Sequence, residues 1–559
     1  MKDHPSLLLV ITFLVLIGCR EPQQVKPPNI ILIMSDDMGY SDIGCFGGEI
    51  NTPNLDYLAQ HGLRFTQFYN TARCCPTRAS LLTGLYPQQA GVGHMMGNRG
   101  TPAYQGDLSK NAVTIAEVLK QNGYSTYMSG KWHITPYIPE NPDKSNWPRQ
   151  RGFDRFFGMI SGAGSFYDPR SLAQDNDYIA PEQNFYATSN FTDYAIECIK
   201  SHQKENPYFL YLAYTAAHWP MHAPAEAVAK YKGKYDMGWD QMRQQRFRRM
   251  KDMGLVKDTW RLTDRDPDVA PWSQDIPDKD WELANMEVYA AMIDVMDQGI
   301  GEIVQTLREK GELENTLILF LQDNGACAEE LAWVDPQRDK GEPLAAHQPQ
   351  TKMIPDFTRD GKPVKLMKEG WPGPADGYTA YGLNWANASN TPFREYKHWV
   401  HEGGIATPLI MHWPEGIRQG GLRHTPTHLI DIMATCIDVA NAVYPTTYNG
   451  ADITAYEGIS LKPLFNNESV AERPIFWEHE GNRAVRLGKW KLVSKADKSD
   501  SFIWDQLEQL PLEHWELYDM AQDRTETKNL SNQYPKVVDE LSKLWMDWAK
   551  KAGAIPRPS

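Results

Sequence analysis

Runs of consecutive apolar residues alternate along the chain with stretches whose apolar positions recur every three to four residues. The first pattern predicts buried strands at 29–34, 124–128, 208–213 and 316–321. The second predicts helices. One begins near Thr52-Pro53, a cap followed by a first-turn proline, and closes at Gly62. Another covers 113–122 and closes at Gly123, and a long one puts Tyr289, Ile293, Met296, Ile300, Ile303 and Leu307 on one side. Leu429, Ile432, Met433, Cys436, Ile437 and Ala440 make a further helical stripe, so Cys436 is a packing residue. Strands and helices in repeated order predict an α/β fold with a large, mostly parallel central sheet flanked by helices.

Two stretches break the rhythm. Residues 230–279 are polar and charged, and Arg246, Arg248, Arg249 and Lys251 read as a solvated helix face. Residues 327–390 are rich in proline, glycine and tryptophan; long insertions of this kind build lids and binding loops, so substrate choice is expected there. From 467 onward short alternating segments follow at 473–477, 483–487, 489–494 and 515–518. An amphipathic helix over 536–550 then presents Leu541, Leu544, Trp545 and Trp548. The tail reads as a smaller α+β unit, an antiparallel sheet plus one helix.

At 559 residues the chain has room for one large domain and this smaller one. A net charge of −14 argues against a nucleic-acid partner. It leaves an anionic substrate open, provided a cleft gathers local cations. Lys2 precedes an apolar stretch at 7–17 that is too short to span a bilayer and matches the core of a signal peptide. Leu16-Ile17-Gly18-Cys19 resembles a bacterial lipobox, which implies acylation of Cys19. The expectation is an exported bacterial lipoprotein, periplasmic or at the cell surface, touching the membrane only through that lipid anchor. The division is a signal peptide at 1–18, a tether at 19–28, the main α/β domain at 29–466 and the C-terminal unit at 467–559. Cys45, Cys75, Cys198, Cys327 and Cys436 are scattered and odd in number, unlike a disulfide framework.

Candidate chemistry gathers at predicted strand ends. Asp36-Asp37 follows the first strand and Asp323-Asn324 follows another, so three carboxylates and one amide oxygen make a site for a hard cation. Lys131 and His133 follow the strand at 124–128, His218 follows that at 208–213, and Lys397 precedes Glu402-Gly403-Gly404. Singly, each such histidine is more often structural and each lysine solvated; together they are not so easily dismissed. His94, His222, His398 and His401 are left unassigned. The run Cys74-Cys75-Pro76-Thr77-Arg78 leads into a short apolar helix ending at Gly84, whose first-turn N–H groups can bind an anion.

These segments resemble the type I, formylglycine-dependent sulfatases of the alkaline-phosphatase-like superfamily, and residues 390–404 look particularly like bacterial arylsulfatases. Only Cys74 fits the spacing Cys-x-Pro-x-Arg; Cys75 takes the free position. Thr77 stands where serine is frequent, and Leu85 where arginine often follows. The resemblance implies a sulfuric ester hydrolase of arylsulfatase type, in which a maturation enzyme oxidises Cys74 to formylglycine. It implies one divalent cation, calcium ahead of magnesium, on Asp36, Asp37, Asp323 and Asn324, with residue 74 completing the shell. Arg78 would steady the nucleophile, Lys131 contact it and the sulfate, and His133 act as base. His218, helped by Lys397, would protonate the leaving group. The implied substrate is a sulfated small molecule or glycan. Two other readings stay open: a phosphodiesterase or phosphonate monoester hydrolase of the same superfamily, and a non-catalytic glycan-binding lipoprotein.

Overall fold

The structure, a computed structural model, describes residues 26–140, 142–203, 205–331, 341–496 and 515–556. The signal peptide, Cys19 and most of the tether lie outside the described residues. In chain order the first strands are β1 (Asn29–Ser35), β2 (Leu63–Tyr69), β3 (Ser125–Lys131) and β4 (Arg155–Met159). They are followed by β5 (Leu172–Gln174), β6 (Asp177–Tyr178), β7 (Tyr208–Ala213) and β8 (Thr316–Gln322). With three later strands these form one eleven-stranded sheet. β1 lies at its centre, parallel to β7 on one side and β8 on the other; β3 continues the parallel run between β7 and β4. The strand Ala406–His412 is antiparallel to both β8 and β2, so β2 points the same way as β8. β1, β2, β3, β7 and β8 thus deliver their carboxyl ends to one edge, where ligands of open α/β sheets collect.

Both faces are covered, which is why the central strands β1, β7 and β8 are near-continuous apolar runs rather than alternating. Ile31 and Ile33 pack in one core with Tyr289, Ile293 and Met296 of the 31-residue helix Lys279–Glu309. Ile30, Leu32 and Met34 pack in the other with Leu81, Leu82, Leu119 and Met433, and Cys436 is buried there as packing. Each such aliphatic side chain contributes roughly 1.5–3 kcal/mol through burial. The C-terminal residues form a four-stranded antiparallel sheet against the helix Pro535–Ala552, which buries Leu541, Trp545 and Trp548. Trp545 Nε1 donates to Trp477 O at 2.9 Å, and Trp477 Nε1 to Asn70 O at 2.7 Å, joining helix, small sheet and main body. No helix among the described residues is long and apolar enough to cross a membrane.

Three local expectations are corrected. The helix Pro53–Gln60 ends on His61, and Gly62 is needed for a different reason: a Cβ there would collide with Met411 O of the neighbouring strand. β3 continues to Lys131 because its pairing with β4 and β7 outlasts the apolar run. Arg246 is not on a solvated face. Its guanidinium is buried, with Nη1 2.6 Å from Asp42 and Nη2 2.7 Å from Glu49. Asp42 in turn accepts from Gly39 N and Tyr289 OH, each at 2.7 Å, so Arg246 neutralises and fixes the loop that follows Asp36-Asp37.

Candidate active site

Ser35 and Gln322 are register partners at the ends of β1 and β8, so the two acidic pairs leave the sheet side by side. Asp37, in the left-handed region at φ 59°, donates its N–H to Asp323 Oδ1 at 3.1 Å, and Asn324 Nδ2 donates to Asp37 Oδ1 at 2.7 Å. Lys131 is the last residue of β3, and His133 follows it with φ 53°. Gly162 is what admits the His133 ring, since a Cβ there would overlap it. Beyond β2, Cys74 begins the helix Cys74–Thr83, which Gly84 closes at φ 70°. Thr77 Oγ1 ties that helix back to its approach, 3.1 Å from Thr71 N and 2.9 Å from Thr71 Oγ1.

All six proposed catalytic side chains and the four oxygen donors are buried at this edge. Arg78 Nη2 lies 2.9 Å from Asp323 Oδ2 and 3.6 Å from Asp36 Oδ2, while its Nη1 donates to Lys131 O at 3.1 Å. Lys131 Nζ is 2.6 Å from Asp36 Oδ2, and Lys397 Nζ is 2.9 Å from Asp37 Oδ2. His218 donates from Nδ1 to Trp219 O at 2.7 Å, which turns Nε2 toward Asp37 Oδ2 at 3.3 Å and Lys397 Nζ at 3.5 Å. Arg78, Lys131 and Lys397 therefore offset Asp36, Asp37 and Asp323 charge for charge.

Burial pushes Asp323 well above the ordinary carboxylate range, helped by Asp36, and burial raises Asp36 too. On Asp37 burial acts the same way, but Lys397 and His218 overcome it and hold the carboxyl low. The Cys75 hydrogen bond, then Lys131 and His133, hold the Cys74 thiol well below its usual value despite burial; burial, and after it the hydrogen bond to Cys74, pushes Cys75 well up. His133 is pushed down to about 4 by burial, so its imidazole is neutral at pH 7.

Asp36 Oδ1 and Asn324 Oδ1 are buried acceptors without a hydrogen-bond partner. Each unpaired acceptor costs about 1–3 kcal/mol, which a bound cation relieves. The donor set is all oxygen, so Asp36, Asp37, Asp323 and Asn324 fit a hard divalent ion.

The model of the family described as Sulfatase matches residues 28–442. The chain belongs to the sulfatase family. A second model, described as N-sulphoglucosamine sulphohydrolase, C-terminal, matches residues 394–551. An uncharacterized sulfatase of Schizosaccharomyces pombe is 30% identical over 567 residues, covering 95% of each chain. An arylsulfatase of Klebsiella aerogenes is 32% identical over 469 residues, covering 81% of this chain and 92% of its own. Among solved structures, Ps i-CgsB in complex with k-i-k-neocarrahexaose superposes with a TM-score of 0.63 at 23% identity, covering 94% of this chain and 93% of that one. This sulfatase is an enzyme of the alkaline-phosphatase-like superfamily.

At Cys74 the sulfatase opens into a cleft of about 440 Å³ lined by His133, His218, Lys397, Tyr137, Arg170 and Trp219. Two charged residues on its wall escaped the sequence reading. Glu329 accepts from Trp219 Nε1 at 2.9 Å and pairs with Lys397 at 3.5 Å and Arg73 at 3.2 Å. Arg73 immediately precedes Cys74, and that adjacency was its one sequence signal; Glu329 had none. Asn390 holds two loops together, accepting from Ala326 N at 2.9 Å and donating to Glu395 O at 2.8 Å and Gly403 O at 2.7 Å. Lys397 is thereby fixed relative to Asp323-Asn324. Of the unassigned histidines, His222 is a buried packing residue bonded to Gly377 O, and His401 pairs with Glu516.

Proposed function

We propose that this sulfatase hydrolyses sulfate esters through residue 74, once a maturation enzyme has oxidised the Cys74 thiol to formylglycine, and that its natural substrates are sulfated glycans. The observation that carries this reading is the placement of Cys74 at the start of a buried helix, beneath one cleft shared with His133, His218 and Lys397. Asp36, Asp37, Asp323 and Asn324, with residue 74, would hold one divalent cation, calcium ahead of magnesium, whose chemistry is Lewis-acid neutralisation of sulfate charge. Arg78 keeps Asp36 and Asp323 in position. Lys131 and Lys397 supply preorganised positive charge to the sulfuryl oxygens. The departing alcohol or phenol oxygen takes its proton from the Lys397 ammonium by way of His218 Nε2, which lies 3.5 Å from Lys397 Nζ. One hydroxyl of the hydrated aldehyde bonds to sulfur as the bond from sulfur to the ester oxygen breaks. His133, neutral at pH 7, then takes a proton from the second hydroxyl, the bond from the residue 74 carbon to the sulfate oxygen breaks, and the aldehyde re-forms.

The glycan assignment is supported by a cleft whose lining includes Trp219 and an Arg170 guanidinium held over the Tyr137 ring, a cation suited to a sulfated sugar. Met353 brings the 327–390 insertion to the same wall, where substrate choice is expected. The hexaose bound to a structural neighbour of this fold points the same way. An exported lipoprotein anchored at Cys19 would meet such polymers outside the cytoplasm. Parallel assays on an aryl sulfate, a phosphate monoester, a phosphodiester and a panel of defined sulfated sugars test the reading. Sulfate release from sugars at rates above the phosphate arms is expected; a phosphodiester as the best substrate would overturn it.

A further inference from the structure

The turn Glu480-Gly481 joins the strands Ile475–His479 and Asn482–Leu487 of the small sheet, with both turn residues at positive φ, 48° and 88°. Two-residue hairpin turns favour asparagine, aspartate or glycine at such positions. A glutamate there carries a left-handed penalty of roughly 1–2 kcal/mol, which draws attention to its side chain. That carboxylate lies against His479 and against His94, whose neighbours Met95 and Met96 line the active-site cleft.

We propose that His94, His479 and Glu480 form a second cation site, one for a zinc-class transition-metal ion, that clips the C-terminal hairpin to the wall of the cleft. His479 is 1% exposed, and neither of its ring nitrogens has a hydrogen-bond partner. Its Nε2 lies 3.5 Å from Glu480 Oε1, and His94 Nδ1 lies 3.6 Å from the same oxygen. Both separations are poor hydrogen bonds. They are close to the edge of a tetrahedron with metal–ligand bonds of about 2.0–2.1 Å, roughly 3.3–3.4 Å. The three donor atoms all lie within 4.8 Å of one another.

The surroundings orient the carboxylate as outer-shell partners of metal sites do. His398 Nδ1 is 2.7 Å from Glu480 Oε2, and its Nε2 is 3.0 Å from Glu329 Oε1. Arg73 Nη1 also contacts His398 and pairs with Glu329, so His398 is held in place between the two carboxylates. Two imidazoles and one carboxylate suit zinc, whereas the four oxygens beneath Cys74 suit calcium, so ligand chemistry separates the two sites. This inference is independent of the sulfatase chemistry.

The test is calorimetric titration of matured, calcium-loaded, transition-metal-stripped protein with zinc chloride. One equivalent is expected to bind, weakened about tenfold or more in His479→Ala and in His94→Ala, and about 10–100-fold in the outer-shell variant His398→Ala. Circular dichroism establishes that the variants are folded. Should they not be, zinc X-ray absorption on the unmutated protein decides, with two imidazole nitrogens at about 2.0–2.1 Å expected. Saturable binding absent from the unmutated protein, or unchanged in both ligand variants, would overturn the site. So would an all-oxygen shell, or a sulfur-containing one reporting Cys75 and His133 instead.

Discussion

Lys397 Nζ lies 2.9 Å from Asp37 Oδ2 with both groups buried, although 360 residues separate them in the chain. The contact places an ammonium between an oxygen donor of the candidate cation site and His218 Nε2, the nitrogen proposed to relay a proton to the leaving group. If this pair serves proton donation, its loss should show most where the departing oxygen is basic. His218→Asn and Lys397→Ala are each expected to lower kcat/KM about 10²–10⁴-fold on alkyl or sugar sulfates. The loss should be much smaller on an aryl sulfate with an acidic phenol. Equal losses on both substrate classes would assign the pair to binding instead.

Gly162 gives the His133 ring its space. Gly162→Ala is expected to displace that ring and lower kcat by about 10²-fold, the scale on which a misplacement of one ångström acts. Unchanged thermal stability with unchanged turnover would show that His133 tolerates displacement and does not serve as the base.

Arg246 neutralises Asp42 beneath the Asp36-Asp37 loop, with both side chains fully buried. Arg246→Met leaves that carboxylate unpaired in the interior. A loss of about 3–5 kcal/mol in denaturant unfolding is expected, the cost of breaking a buried pair on one side. A loss below about 1 kcal/mol, the scale of an exposed pair, would contradict the burial assigned to it.

Removing the cation should make stability depend on pH in a defined direction. Burial, and on Asp323 also Asp36, holds these two carboxyls above their ordinary value in the ion-free site. The ion-free folded state therefore keeps protons that the unfolded chain releases above about pH 4. Its stability contribution falls as pH rises from there through the raised values. Calcium needs both groups ionised, so protons compete with it. The rise in Tm caused by calcium is expected to be small near pH 4.5 and to grow toward pH 7.5. A calcium effect independent of pH would contradict these ligands.

The strands that carry the site were legible because burial on both faces leaves apolar runs no partner-dependent ambiguity. β7 matches its predicted span, and β1 and β8 each run one residue further. Arg246 was misread because the carboxylates that bury it, Asp42 and Glu49, lie about two hundred residues upstream, and no local pattern links them. Glu329 and Asn390 act through loops brought together by the sheet, Asn390 mostly by holding backbone groups. Gly62 looked like a helix end because glycine marks both left-handed caps and close backbone approach, and here it serves the second.

The central claim is that residue 74 works as an aldehyde rather than as a thiol. Peptide mass spectrometry of protein made in a maturation-competent host, read beside turnover of the same samples, tests it most directly. The account predicts that the peptide containing residue 74 carries formylglycine and that turnover rises in proportion to the converted fraction. Full sulfate-ester turnover from protein whose Cys74 thiol is intact would contradict it.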